Sequence, residues 1–257
     1  MTTTKKSFVS RRLDPEQRYG LRATLFAIAV ALVGAPFGWI LDQVVRKGAL
    51  VRADTSAARS LHTAIVGHRT LITALKALTF IGTPIFLTIV VVVCSLFLLR
   101  RHRYRLMSFL IITSIGGGII DSVVKIIVNR RRPNLANPFI TLHGRSFPSG
   151  HVMSSTIVYG AVLLILMPLI SKRWRVPSIC AVLLLVASIA VSRLALGAHF
   201  ITDVIGGFFL GLAWLIASTA AFSIWRQERG RKRVDPLRGL EPEAKQSLSP
   251  KPKSGAA

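Results

Sequence analysis

The chain is short of acids. Its 257 residues hold 10 Asp and Glu against 34 Lys and Arg, with only two cysteines and three tyrosines. So sparse a set of carboxylates and thiols offers no C-x-x-C pair and no Cys/His or carboxylate cluster spaced to hold a divalent ion. Cys94 and Cys180 each lie inside an apolar run, where small buried hydrophobes are the simpler reading and nothing about redox compartment follows. No cleavable leader is expected either. The first apolar run, from about Leu21 to Ile40, is too long for a signal-peptide core and has no small-residue cleavage pattern, so it reads as a retained anchor. There is no internal repeat.

What the chain has in quantity is apolar residues, 51% of the total, with a mean hydropathy of +0.54. That fits a polytopic membrane protein better than a soluble α/β domain. Six stretches, each near the ~20 residues a helix needs to cross the hydrocarbon core, fall at about 22–41, 76–99, 106–128, 151–170, 177–196 and 201–224. The expected fold is therefore all-α, a polytopic membrane bundle of six transmembrane helices over residues 21–226. Gly82 and Pro84 predict a kink or a late start in the second span. Residues 1–20 form a basic arm, and residues 227–257, rich in Arg, Lys, Pro, Ser and Gly, are expected to be a disordered basic tail. Between the first two spans, residues 42–72 mix Asp42, Arg46, Lys47, Asp54, Arg59 and Arg69 with apolar residues at helical spacing. An interfacial amphipathic helix and a loop packed on the bundle both fit that pattern; the packed loop is the expectation.

A formal charge of +24 invites a nucleic-acid partner. The cations, however, cluster at the ends of apolar segments, where anionic headgroups attract them, so the bilayer is the expected partner and nucleic acid is not. By the positive-inside rule the N-terminal arm, the Arg100–Arg105 loop, the Lys172–Arg175 loop and the tail from Arg226 are cytoplasmic. Both termini then lie inside, and the 42–72, 129–150 and 197–200 connections lie outside. One cluster breaks the rule: Asn129-Arg130-Arg131-Arg132 falls on the outer side, which calls for a local cause such as anion binding.

Three polar runs interrupt the apolar pattern on that outer side: Lys125 with Arg132-Pro133, Pro148-Ser149-Gly150-His151, and Ser192-Arg193 followed by His199 and Asp203. They supply three fixed cations, two imidazoles and a carboxylate. Such a set suits a phosphate ester, since cations hold the equatorial oxygens while one histidine attacks phosphorus and the other protonates the leaving oxygen. Pro148 suits a first helical turn, and Ser149 with the amides near Gly150 can cradle an oxyanion at a helix N-terminus. His199 and Asp203, four apart, would share a helical face. Asp121, one turn before Lys125, can pair with it. Taken singly, each piece has a structural explanation: a snorkelling Lys125, a stop-transfer arginine cluster, a polar turn opening a span, a structural His/Asp hydrogen bond. For Arg130, Arg131 and Arg145 the spacing does not separate substrate contact from headgroup binding.

In order and spacing these runs, K-x6-R-P, then P-S-G-H, then S-R-x5-H-x3-D, match a known signature without a substitution. With them the chain resembles the type-2 phosphatidic acid phosphatase family, the integral-membrane relatives of vanadium haloperoxidases. The resemblance runs from Lys125 to Asp203, and the six-span layout is similar as well. It implies that His199 is the nucleophile forming a phosphohistidine and that Asp203 orients it. His151 would be the acid and later the base, while Lys125, Arg132, Ser149, Gly150 and Arg193 bind the phosphoryl group. The implied reaction is hydrolysis of a lipid phosphomonoester or pyrophosphate at the extracytoplasmic face, with no metal and no cofactor. The lipid would be of the phosphatidic acid, phosphatidylglycerophosphate or undecaprenyl pyrophosphate type. A vanadate-dependent haloperoxidase would use nearly the same anion cage, and a non-catalytic lipid-phosphate binding or transport protein could keep the cations; the spans argue against the first and both histidines with Asp203 against the second.

The orientation is testable without any assay of activity. A cysteine at Asn137, after replacement of Cys94 and Cys180, is expected to react with an impermeant thiol reagent in intact cells. Labelling only after lysis would reverse the orientation.

Overall fold

The computed structural model describes residues 21–135, 139–140, 144–229 and 234–248. The basic arm over 1–20, Asn137 and the last nine residues lie outside the described residues. Eight long helices follow one another: α1 (Leu21–Val45), α2 (Ala49–Ile65), α3 (Arg69–Phe80), α4 (Pro84–Arg100), α5 (Tyr104–Val128), α6 (Gly150–Leu166), α7 (Lys172–Ala195) and α8 (Ile201–Glu228). A 3-10 turn over Met167–Leu169 extends α6, and a one-turn helix, α9 (Lys245–Leu248), ends the described chain. Among the described residues there is no strand beyond an isolated bridge between Asp235 and Gly239.

Five of these helices are long and apolar enough to cross a bilayer. The α3/α4 pair, bent by 40° at its break, supplies a sixth span when counted as one. The break is where Gly82 and Pro84 predict it: Thr83 caps α4, its hydroxyl accepting from the Phe86 N–H at 3.3 Å, and Pro84 takes the first turn. The bundle is apolar outside as well as inside. Ile85, Ile112, Ile127 and Leu184 are between 66% and 75% exposed, as side chains facing lipid must be.

Helix α6 is the central strut, packed on α5, α7 and α8. Val152, Met153 and Ala161 on it are wholly buried. Its contact with α8 is close because α8 carries small residues there. A Cβ on Gly207 would stand 2.7 Å from the Ser149 carbonyl oxygen, and one on Gly211 would stand 2.9 Å from that of Met153. Without a hydrophobic force between helices in lipid, such backbone approach is a main source of association. It also sets the start of α6 against the start of α8.

Two expectations are corrected. Residues 49–65 are a helix, not a packed loop: Asp54, Ala58, His62 and Ile65 recur at helical spacing and bury one face of α2, which packs on α7 and α8. Nor is the tail disordered from 227 onward. Residues 234–248 fold back onto the bundle, with Val234, Leu240, Ala244 and Leu248 buried in the cluster that holds Leu110 and Phe222. The scattered apolar residues suffice because Arg226, buried at the end of α8, pairs with Glu241 at 3.2 Å and Glu243 at 2.7 Å. Helix α5 ends at Val128, where its expected span of 106–128 ends. Asn129 takes a left-handed conformation (φ 49°) that asparagine tolerates, and its N–H bonds the Lys125 carbonyl as a C-cap.

Gly207→Ala is expected to destabilise the protein by roughly 1–3 kcal/mol through overpacking against backbone that cannot yield. Gly118→Ala, where nothing lies within 4 Å of the added methyl, is expected to be neutral or mildly stabilising. Thermal unfolding of both variants in the same detergent is the measurement; equal losses would remove the close-packing account.

Candidate active site

Each of the three polar runs reaches the same end of the bundle through a local device. At the start of α6, Ser149 is the N-cap and Gly150 the first helical residue. The Ser149 N–H donates to the Asp203 carbonyl at 2.9 Å, tying this turn to α8. Gly150 lies against the Lys125–Asp121 pair: a Cβ there would be 2.9 Å from Lys125 Nζ and 3.0 Å from Asp121 Oδ2. Lys125 donates to both Asp121 oxygens at 2.5 Å, the expected one-turn pairing. At the end of α7, Gly197 adopts φ +70°, which turns the chain toward His199, and the Ala198 N–H closes the turn onto the Arg193 carbonyl at 3.0 Å.

His199 is not on the helical face that its spacing from Asp203 suggests. It precedes Phe200, the N-cap of α8, and lies in the turn. Asp203, in the first turn of α8, reaches back to accept from the Phe200 N–H at 2.9 Å, and its Oδ2 stands 3.5 Å from His199 Nδ1. The shorter contact of Nδ1 is the Ser146 carbonyl at 2.9 Å, while Nε2 stands 3.2 Å from Arg132 Nη1. These partners fix the tautomer by inventory. A carbonyl only accepts and a guanidinium only donates, so Nδ1 carries the proton and Nε2 presents its lone pair. Burial pushes the imidazole down to about 4, with the Arg193 and Arg132 charges adding to the shift and Asp203 opposing it. The ring is therefore neutral at physiological pH.

Around this ring the cations collect. Arg132 also donates to the Ala198 carbonyl at 2.8 Å, and buried Arg193 donates to the Thr79 hydroxyl at 3.1 Å. His151 follows Gly150, which lies against Lys125, and so joins the cluster at the start of α6. Three buried polar atoms, Ser149 Oγ, Arg132 Nε and Arg193 Nε, find no hydrogen-bond partner among the described residues. An unsatisfied buried donor is unfavourable by itself, and a set of them calls for a shared acceptor.

All eight sequence-predicted residues thus lie at one end of the bundle. Four further residues have no mark in the motif. Ser146 donates its hydroxyl to Asp203 Oδ2 and offers its carbonyl to His199. Arg130 is an internal brace: it donates to Asp203 Oδ1 at 2.6 Å and to Asp54 Oδ2 at 2.8 Å, and stacks 4.2 Å over the Phe200 ring. Asp54 on α2 receives the Thr202 N–H at 3.1 Å and the Thr202 hydroxyl. Thr79 holds Arg193. A lone acid on the buried face Asp54–Ala58–His62–Ile65 was the available signal for α2; the others have none. Arg131 and Arg145 remain exposed.

Residues 104–227 match the model of the PAP2 superfamily. Phosphatidylglycerophosphatase B of Bacillus subtilis (strain 168) is 30% identical over 181 residues, covering 68% of this chain and 86% of the relative. The chain belongs to the PAP2 superfamily. The crystal structure of a transmembrane PAP2-type phosphatidylglycerolphosphate phosphatase from Bacillus subtilis shares the fold, with a TM-score of 0.68 at 23% identity over 80% of this chain and 98% of that one. As a PAP2 member this protein is a membrane phosphatase, and the gathered cations and imidazoles occupy one end of its helical bundle.

The brace under that site has a measurable weight. Arg130→Gln in this PAP2 protein leaves Asp54 and Asp203 buried without their cation, with an expected loss of about 3–5 kcal/mol. Arg130→Gln with Asp54→Asn should recover part of it. Denaturant or thermal unfolding of the two variants checks this, and a double variant no more stable than the single one would overturn the ion-pair account.

Proposed function

We propose that this protein hydrolyses a lipid phosphomonoester at the extracytoplasmic face of the membrane through a phosphohistidine on His199. The observation that carries the reading is the pairing of an unprotonated, buried His199 Nε2 with three donors that lack an acceptor among the described residues, Ser149 Oγ, Arg132 Nε and Arg193 Nε. A tetrahedral phosphate supplies acceptors to all three while presenting phosphorus to the ring nitrogen.

Arg132, Arg193, Lys125, the Ser149 hydroxyl and the Gly150 amide hold the non-bridging oxygens. Arg132 donates to Nε2 in the resting site, and the incoming phosphate draws that guanidinium away and frees the lone pair. His199 Nε2 attacks phosphorus in line as His151 gives its proton to the departing lipid oxygen. Asp203 and the Ser146 carbonyl stabilise the charge that develops on the ring through Nδ1–H. His151, now unprotonated, takes a proton from water; the oxygen attacks the phosphohistidine and releases phosphate, restoring His199. No step calls on a metal ion or a cofactor.

Two features support a lipid substrate. An apolar cavity of about 530 Å³ between α4, α5 and α6 includes Ser154, one turn along α6 from His151, and extends to Leu99 and Met107. It lies beside the phosphate cradle, not at it, as an acyl chain does relative to its headgroup. The relative and the solved structure are both named for phosphatidylglycerophosphate, which makes that monoester the favoured member of the class. The extracytoplasmic assignment rests on the Arg100–Arg105 and Lys172–Arg175 loops, which stand at the helix ends opposite the histidines.

The two histidines separate by leaving group. His151→Ala is expected to lose on the order of 10²–10⁴ in rate on a lipid monoester, whose alkoxide needs a proton, and much less on p-nitrophenyl phosphate when phosphohistidine formation limits both. His199→Ala loses nearly all rate on both. Equal losses for His151→Ala on the two substrates would leave the acid role without support.

A further inference from the structure

At the end of the bundle opposite the histidines, a second cationic cavity, of about 360 Å³, is lined by Lys172, Arg175, Arg238 and Lys245 between Pro168 and Pro242. Among the described residues no acid lines it; Asp235, outside the lining, stands 3.4 Å from Arg238 Nε, and Arg175 Nε donates to the Ile170 carbonyl at 3.3 Å. Lys172 and Arg175 come from the first turn of α7, and Arg238 and Lys245 from the folded-back tail. Ser171, the N-cap of α7, makes no side-chain cap bond, so the positive end of the helix adds to the field.

The tail is held there by contacts independent of these charges. The Leu240 N–H donates to the Leu164 carbonyl at 3.2 Å, and Leu240 and Ala244 are wholly buried. The fold thus keeps Arg238 at one cavity with Lys172 and Arg175, where a disordered tail would let them part, an arrangement that favours an anion.

The cavity's surroundings say which anion. Met167 and Leu237, the chain neighbours of Pro168 and Arg238, line an adjoining apolar groove of about 250 Å³ that continues along Leu163 and Leu183 between α6, α7 and α8. A cationic cavity that adjoins an apolar groove suits a phospholipid, with its headgroup in the first and an acyl chain in the second. Lys172 and Arg193 lie at opposite ends of α7, and 24 residues span about 36 Å, so the cavity stands at headgroup level in the leaflet opposite the catalytic centre. Trp174, 57% exposed in the same turn, is placed as an interfacial anchor.

We propose that this cavity binds the headgroup of an anionic diacyl phospholipid from that opposite leaflet, and that the bound lipid fastens the tail to α6 and α7. The site is separate from the catalytic one and does not rest on the substrate reading.

The full-length protein in detergent, titrated with phosphatidylserine or phosphatidylcholine, tests this, since neither lipid is a phosphomonoester. Phosphatidylserine is expected to raise the Tm by about 2–4 °C over phosphatidylcholine. Arg175→Gln/Arg238→Gln should lose most of that rise while keeping phosphatase activity, and Arg175→Lys/Arg238→Lys should retain it. Arg100→Gln/Arg173→Gln removes the same charge from exposed positions outside the cavity and should also retain it. An equal loss in that control would assign the effect to diffuse membrane electrostatics and overturn the proposal. A rise with inorganic phosphate alone that Arg175→Gln/Arg238→Gln abolishes would identify a soluble anion instead and overturn the lipid.

Discussion

A buried carboxylate must be supplied with donors or it will not stay ionised, and Asp203 is supplied from four directions. Arg130 reaches it from the end of α5, Ser146 from the loop before α6, the Phe200 N–H from its own helix start, and His199 from the turn between α7 and α8. Its backbone carbonyl takes the Ser149 N–H as well. Through that one residue the 130s segment, the Pro148–His151 turn and the His199 turn are fixed relative to each other. The proposed nucleophile and the phosphate-binding turn are therefore registered by the same group.

That registration depends on how closely the helices approach. Gly207 and Gly211 let the α8 backbone meet carbonyls at the start of α6, and Gly150 leaves room for the Lys125–Asp121 pair. Larger residues would separate the three polar runs. Arg130, part of the cluster that the charge rule left unexplained, finds its cause inside the protein: it braces Asp203 and Asp54, whereas Arg132, two residues on, turns to His199. Neighbouring arginines thus divide between an ion-pair brace and the proposed phosphate site.

The two ends of the molecule use cations differently. At one end arginines are buried and held by carbonyls and hydroxyls, leaving directed donors. At the other, Arg226 pairs with Glu241 and Glu243 to hold the tail, and Lys172, Arg175, Arg238 and Lys245 line a separate cavity. The 24 residues of α7 keep the two fields a bilayer apart.

The order and spacing of Lys125, Arg132, Ser149, Gly150, His151, Arg193, His199 and Asp203 determined the family, and apolar run length determined an all-helical membrane bundle with a break at Gly82–Pro84. Such features are local, and a sequence displays them directly. The amphipathic period of α2 was also present in the sequence, but only packing decided between helix and loop. The tertiary structure alone decided which proton His199 carries, because its partner is the Ser146 carbonyl, and a backbone carbonyl has no residue-type signature. It alone assigned Arg130 to Asp54 and Asp203 and folded residues 234–248 onto the bundle, since pairings between residues as far apart as Asp54 and Thr202, 148 positions in sequence, are set by the folded packing and not by neighbouring residues.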